Sequence, residues 1–181
     1  MTSGTQPRRV LYWIMCAAPP AQDWEQPARQ LQEDGWDLHA IPTEAAASWL
    51  DLDSLAQVTG HAVRTRPRLP HETDELPPAD AVLVAPATFN TLNQWAAGIN
   101  DTLPLGLLNE LLGLQVPIIV AMYCKPALAA HPAYRPNITR LRQAGATILE
   151  GERSITVRDP GFSWTAVRSA VAAVLRQRPD P

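Results

Sequence analysis

The chain reads as an α/β protein, a doubly wound parallel sheet sandwiched between two helical layers. Three observations predict this. Short apolar runs of the kind that become buried strands recur along the 181 residues. Each is followed by a stretch of helix length, and prolines and glycines collect at the joins, where they stop helices and mark turns. Continuous apolar runs rather than alternating ones are what a parallel sheet covered on both faces requires.

The elements follow in order. Residues 10–16 form the first apolar run, and Ala17, Ala18, Pro19 and Pro20 make a tight join into a helix over residues 24–33. Gly35 closes that helix, and residues 36–41 supply a second strand that stops at Pro42. Thr43 then caps a helix through TEAAASWLD, with Trp49 and Leu50 expected to turn inward, and residues 53–58 give a further short helix. The stretch HAVRTRPRLPHETDELPP has no apolar periodicity and is far longer than an ordinary connection, which is a common property of functional loops. The run ADAVLVAP restores order as a buried strand, and a helix begins near Thr88. A second helix over residues 105–112 ends at Gly113, a strand follows over 116–122, and a loop of small residues occupies 123–131. Residues 133–143 make an amphipathic helix closed by Gly145, residues 146–149 a short strand, 154–157 an edge strand and 164–176 a final helix. Residues 1–181 are read as one domain, with 1–8 and 178–181 flexible.

Composition narrows the function classes. An apolar fraction of 46% with mean hydropathy −0.13 and no apolar run near membrane-helix length predicts a soluble chain without a membrane span. Two cysteines are too few for a disulfide framework and have no metal-ligand spacing, so a cytoplasmic protein without a metal site is expected. A net charge of −3 leaves no large basic footprint for nucleic acid, and a small molecule is the expected partner.

In doubly wound sheets, ligands bind at the carboxyl ends of the strands. Three connections at those ends, CAAPP, PTEAA and PATFNT, suit a phosphate. A helix amino end offers unpaired N–H groups and partial positive charge, to which Thr43, Thr88 and Thr91 add hydroxyls. The same threonines are equally able to cap their own helices. Neither a GxxxxGK[ST] loop nor a GxGxxG fingerprint occurs, which favours a mononucleotide over a dinucleotide. Asn90 carries both a donor and an acceptor, suited to orienting a carboxylate or a ring carbonyl, or to capping a helix.

PATFNTLNQWAAGINDTL, with Pro86, Ala87, Asn90, Thr91, Ala96, Gly98 and Asp101, resembles the PASANT segment and following helix of the flavin-containing cysteine decarboxylases. That family includes phosphopantothenoylcysteine decarboxylase and the peptidyl-cysteine decarboxylases of lantibiotic biosynthesis. Thr43, Glu44, Ala45 and Ala46 look like its TEAA element, and HPAYRPNITRLRQAGATIL is similar to its NPATxxNLxxLxxxGxxIL stretch. The matches stand in the family's order and span most of residues 10–150.

The resemblance implies a flavodoxin-like, Rossmann-like subunit that binds FMN and assembles as a trimer or sets of trimers. It places the phosphate over Ala17, Ala18 and Thr43, and the ring and substrate near Pro86, Ala87, Thr88, Asn90, Thr91 and Met122. It implies an enzyme whose flavin takes a hydride equivalent from a cysteine side chain, so that the adjacent carboxylate leaves as carbon dioxide, with a histidine as base. His71 lies near the family's histidine position; its other reading is a solvated loop residue. In VAMYCKPALAAHP, Met122 is kept, but Tyr123 stands where the family has asparagine. Cys124 and His131 fall in the corresponding substrate flap, or serve as a small loop residue and a cap. Two alternatives stand beside the decarboxylase: an FMN-binding subunit without catalysis, and a flavin prenyltransferase, for which the flap offers only Lys125 as a cation.

Overall fold

The computed structural model describes residues 8–69, 71, 76–150 and 162–177. Five parallel strands, β1 (Arg9–Met15), β2 (Trp36–Pro42), β3 (Ala81–Ala87), β4 (Ile118–Met122) and β5 (Thr147–Leu149), form one sheet in the order β2-β1-β3-β4-β5. The chain winds outward from β1 to β2, then returns to place β3 on the other side of β1. That reversal makes the gap between the carboxyl ends of β1 and β3 the topological switch point.

Alternation along β1 shows why both faces need cover. Tyr12, Ile14 and Cys16 point into one core with Val82, Val84 and Val120, closed by α4 (Phe89–Ala96), α5 (Leu103–Gly113) and α7 (Tyr134–Gln143). Leu11, Trp13 and Met15 point into the opposite core with Leu38, Leu83 and Ile119. That core is closed by α1 (Glu25–Glu33), α3 (Leu52–Thr59) and α8 (Trp164–Gln177). Trp13 is wholly buried, and its indole N–H donates to the Ala85 carbonyl at 2.8 Å, so its one polar atom is satisfied inside the core.

Most expected elements are present with shifted ends. Pro19–Asp23 form a 3-10 turn before α1. Asp51 caps α3 and Thr102 caps α5, each by accepting a backbone N–H three residues on. Gly60 closes α3 at φ 79°, a left-handed conformation that glycine adopts without strain. The expected loop after β4 contains a short helix, α6 (Pro126–Ala129). Residues 60–69 hold no helix or strand, in keeping with the long loop. The expected edge strand over 154–157 lies outside the described residues, as do 178–181 and, of the amino end expected to be flexible over 1–8, all but Arg8.

One expectation fails. The TEAAASWLD helix is a single turn, α2 (Glu44–Ala47), and Trp49 does not turn inward but is 48% exposed. The Trp49 N–H closes on the Ala46 carbonyl at 2.9 Å, and Asp51 starts a new helix, so the chain turns before Trp49 reaches the core face. Leu50 does pack against the core.

Helix α8 is tied to the end of α1 by Arg168, which donates two hydrogen bonds of 2.7 Å to Asp34. Those bonds hold the Asp34 carboxyl below its ordinary range against the opposing effect of burial. A carboxyl lowered on folding stabilises above its unfolded value, and that contribution is lost as pH falls through the lower folded value. Asp34→Asn is therefore expected to lower Tm by about 1–3 °C at pH 7. Melting curves should show the difference closing below about pH 4; a difference unchanged at low pH would contradict the assignment.

Candidate functional site

The carboxyl ends of β1, β2 and β3 open onto one cleft of about 310 Å³, near the lower bound of about 300 Å³ for small-molecule sites. Cys16 and Ala17 enter it from β1, Thr43, Glu44 and Ala45 from β2, and Thr88, Asn90, Thr91 and Gln94 from β3 and α4. Thr102, Pro104 and Leu105, at the start of α5, close a further side. Thr65 reaches the cleft from the long loop. The three joins singled out in the sequence thus converge on one rim, at the switch point of the sheet.

The threonines do both things open to them. Thr43 Oγ1 accepts the Ala46 N–H at 3.2 Å and so caps α2, but accepting leaves its own hydroxyl proton to donate. Thr88 stands at the cap position of α4 without a side-chain cap bond, which leaves N–H groups of that first turn facing the cleft end of the helix. Its hydroxyl instead meets that of Thr91 at 3.3 Å. Thr91 also accepts from Cys16 Sγ at 3.3 Å. Burial pushes the Cys16 thiol up, outweighing the hydrogen bonds from Thr91 and Thr88, so Cys16 packs as a neutral thiol. Asn90 is the second residue of α4, exposed to the cleft, and its amide has no hydrogen-bond partner among the described residues. Its alternative reading as a helix cap is therefore excluded.

The other expected residues stand around this rim. Ala18 is buried in the β1 join, the Pro86 carbonyl accepts the Cys16 N–H at 3.0 Å, and the Ala87 carbonyl accepts the Tyr123 N–H at 2.8 Å. Met122 is buried at the end of β4, opposite Ala87. None of these four lines the cleft. The Tyr123 ring meets Phe162 edge-on at 6.4 Å. Cys124 is buried, and burial pushes its thiol up, away from thiolate reactivity. His131 Nδ1 accepts the Ala133 N–H at 3.1 Å and its ring packs edge-on against Phe89, the capping role among its two readings. His71 sits exposed in a turn of the long loop, outside the cleft lining. Thr65, Gln94 and Thr102 were not anticipated; Thr102 alone carried a signal, as a hydroxyl before a proline-started helix.

The donor set suits an anion held without a formal cation: threonine hydroxyls, helix-start N–H groups and the Asn90 and Gln94 amides, together with the apolar Pro104 and Leu105. Among the described lining residues Glu44 is the one charged group. A family model described as Flavoprotein matches residues 7–176. The chain belongs to the Flavoprotein family. Curated relatives are the Coenzyme A biosynthesis bifunctional protein CoaBC of Thermococcus kodakarensis, 32% identical over 68% of this chain and 32% of that protein, and that of Mycobacterium bovis, 35% identical over 67% and 29%. The chain therefore spans about a third of the length of these relatives. Among solved structures, the FMN-dependent cysteine decarboxylase SpaF superposes with a TM-score of 0.77 at 24% identity, covering 94% of this chain and 97% of that one. TvaF, an FMN-dependent cysteine decarboxylase from thioviridamide biosynthesis, superposes at 0.66 with 27% identity over 91% and 98%. Among the described residues of this Flavoprotein family member, no helix is long and apolar enough to cross a membrane.

Proposed function

We propose that the chain is an FMN-dependent decarboxylase acting on a cysteine-type carboxylate, either a peptide ending in cysteine or a cysteine conjugate such as phosphopantothenoylcysteine. The observation that carries this reading is the convergence of the β1, β2 and β3 joins on one cleft at the switch point, with hydroxyls from two of them. Ala17, Ala45, Thr43, Thr88 and Thr91 would hold the FMN phosphate through N–H and O–H donors, with Ala18 behind them. Gln94 and Leu105, with Pro86, Ala87 and Met122 beneath, would flank the ring. When bound, FMN supplies a two-electron acceptor that makes loss of carbon dioxide from a cysteine feasible.

The protein's own part is positioning. Asn90, with an uncommitted amide at the mouth of the cleft, orients the substrate carboxylate or a ring carbonyl. The reading keeps His71 as the proton acceptor, on the loop that also brings Thr65 to the cleft, and keeps Tyr123, Cys124 and His131 as the flap over the substrate. It includes assembly as a trimer or a multiple of trimers, supported by the exposed Trp49 and Leu114, and a cytoplasmic home, supported by two unbridged cysteines.

One observation favours a second reading, an FMN-binding subunit without turnover: Tyr123 replaces the expected asparagine and packs on Phe162 rather than lining the cleft. A single assay separates them. The FMN-loaded chain, incubated with a cysteine-terminated peptide and with phosphopantothenoylcysteine, should release carbon dioxide from one of the two, read by mass spectrometry. Flavin retention with neither substrate consumed would favour the binding subunit.

A further inference from the structure

A cluster at the far end of β2 has no part in the cleft. Asp37 and His39 are two residues apart on a strand and so project from the same face. His61 meets them from the loop after α3. Its Nε2 lies 2.7 Å from Asp37 Oδ1, and His39 Nε2 lies 3.5 Å from Asp37 Oδ2. One ligand atom from each residue falls within 4.8 Å of the others. The site is graded in exposure: the His39 side chain is 8% exposed, and those of His61 and Asp37 are 34% and 32%.

We propose that Asp37, His39 and His61 form a binding site for a divalent transition metal of the zinc class, with water in the fourth position. Two imidazoles and a carboxylate are a borderline-soft donor set of the kind that prefers zinc to magnesium or calcium, and three protein ligands leave one coordination place open. Ligand atoms about 2.0–2.2 Å from a tetrahedral ion lie about 3.3–3.6 Å apart, a spacing that this cluster brackets. The rings of His39 and His61 stack with centroids 4.0 Å apart and planes inclined by 19°. Asp37 supplies the negative charge, its Oδ1 2.7 Å from His61 Nε2 and its Oδ2 3.5 Å from His39 Nε2.

Stacked rings do not share a ligand point, so metal entry turns the His61 ring off the face of His39, a movement open to a partly exposed loop side chain. His39, packed edge-on to Tyr12 at 6.2 Å, stays as the fixed ligand. Such an ion clasps the start of the long loop to the edge strand. Thr65, four residues beyond His61, lines the cleft, so the clasp would steady one of its walls. The cluster itself stands apart from the cleft: His39 is four residues before Thr43, about 13 Å along a strand.

The test uses the full chain without tag, stripped by chelator and titrated with ZnCl₂ by calorimetry. One Zn²⁺ per chain is expected, with His61→Ala and Asp37→Asn each weakening binding about 100-fold, while His131→Ala binds as wild type. His61 is partly exposed and lies in a loop, so that variant is expected to keep its fold, checked by circular dichroism. Zn²⁺ should also slow tryptic cleavage after Arg64 in the wild type and not in His61→Ala. Absence of Zn²⁺ binding, or equal binding by wild type and both variants, overturns the proposal.

Discussion

Asn90→Ala is expected to lower kcat about 10²–10³-fold, the cost of removing one positioned hydrogen-bonding group from a reacting centre, while FMN affinity falls about tenfold or less. The asymmetry follows from placement. Asn90 faces the cleft from the first turn of α4 with its amide uncommitted, whereas the proposed phosphate donors come from three separate joins and do not depend on it. Truncation leaves the helix intact because the cap position belongs to Thr88. Steady-state turnover and flavin content of the purified variant check this together. A kcat within twofold of wild type would remove Asn90 from the chemistry; loss of flavin in step with activity would make it a cofactor ligand only.

Ala17→Asp is expected to weaken FMN binding about 10³-fold. A carboxylate placed about 4 Å from a phosphate costs on the order of 4 kcal/mol per unit charge at an effective dielectric of 20. Ala17 is only partly buried and lies at the cleft rather than in either core, so the melting temperature without FMN should stay near that of wild type. Ala17→Ser, which adds a donor in place of a charge, should retain binding. Flavin fluorescence quenching reads all three. Undiminished binding by Ala17→Asp would move the phosphate away from the β1 join.

Much of this architecture was legible because parallel strands buried on both faces leave an unmistakable trace. LYWIM in β1, AVLVAPA in β3 and IIVAM in β4 are apolar without interruption, and prolines, glycines and capping threonines stand at the joins between elements. The rim was legible for the same reason: Thr43 and Thr88 stand directly after strands, so topology alone sends them to one edge. Helix α2 was over-read because good helix formers continue past the point where Asp51 captures the chain for a new helix, and a local cap outweighs propensity.

Three features were hidden. Thr65 lies in a loop without periodicity, and only the loop's return, fixed where the Arg64 N–H donates to the Ala40 carbonyl at 3.2 Å, brings it to the cleft. Tyr123 and Cys124 follow β4, where the Tyr123 ring meets Phe162 and the Cys124 thiol lies 3.5 Å from the Lys125 carbonyl, contacts that no spacing rule anticipates. The Asp37, His39 and His61 cluster joins a strand to a loop some twenty residues on; its only sequence trace is the two-residue step from Asp37 to His39, which is too common to stand alone.

The rim of N–H and O–H donors is tested most directly by comparing FMN with riboflavin, which differ only in the phosphate. Two or more charge-assisted hydrogen bonds to phosphate predict that FMN binds at least about 10²-fold more tightly, with one FMN per chain. Equal affinity for the two flavins, or binding of neither, would contradict a phosphate site at the ends of β1, β2 and β3.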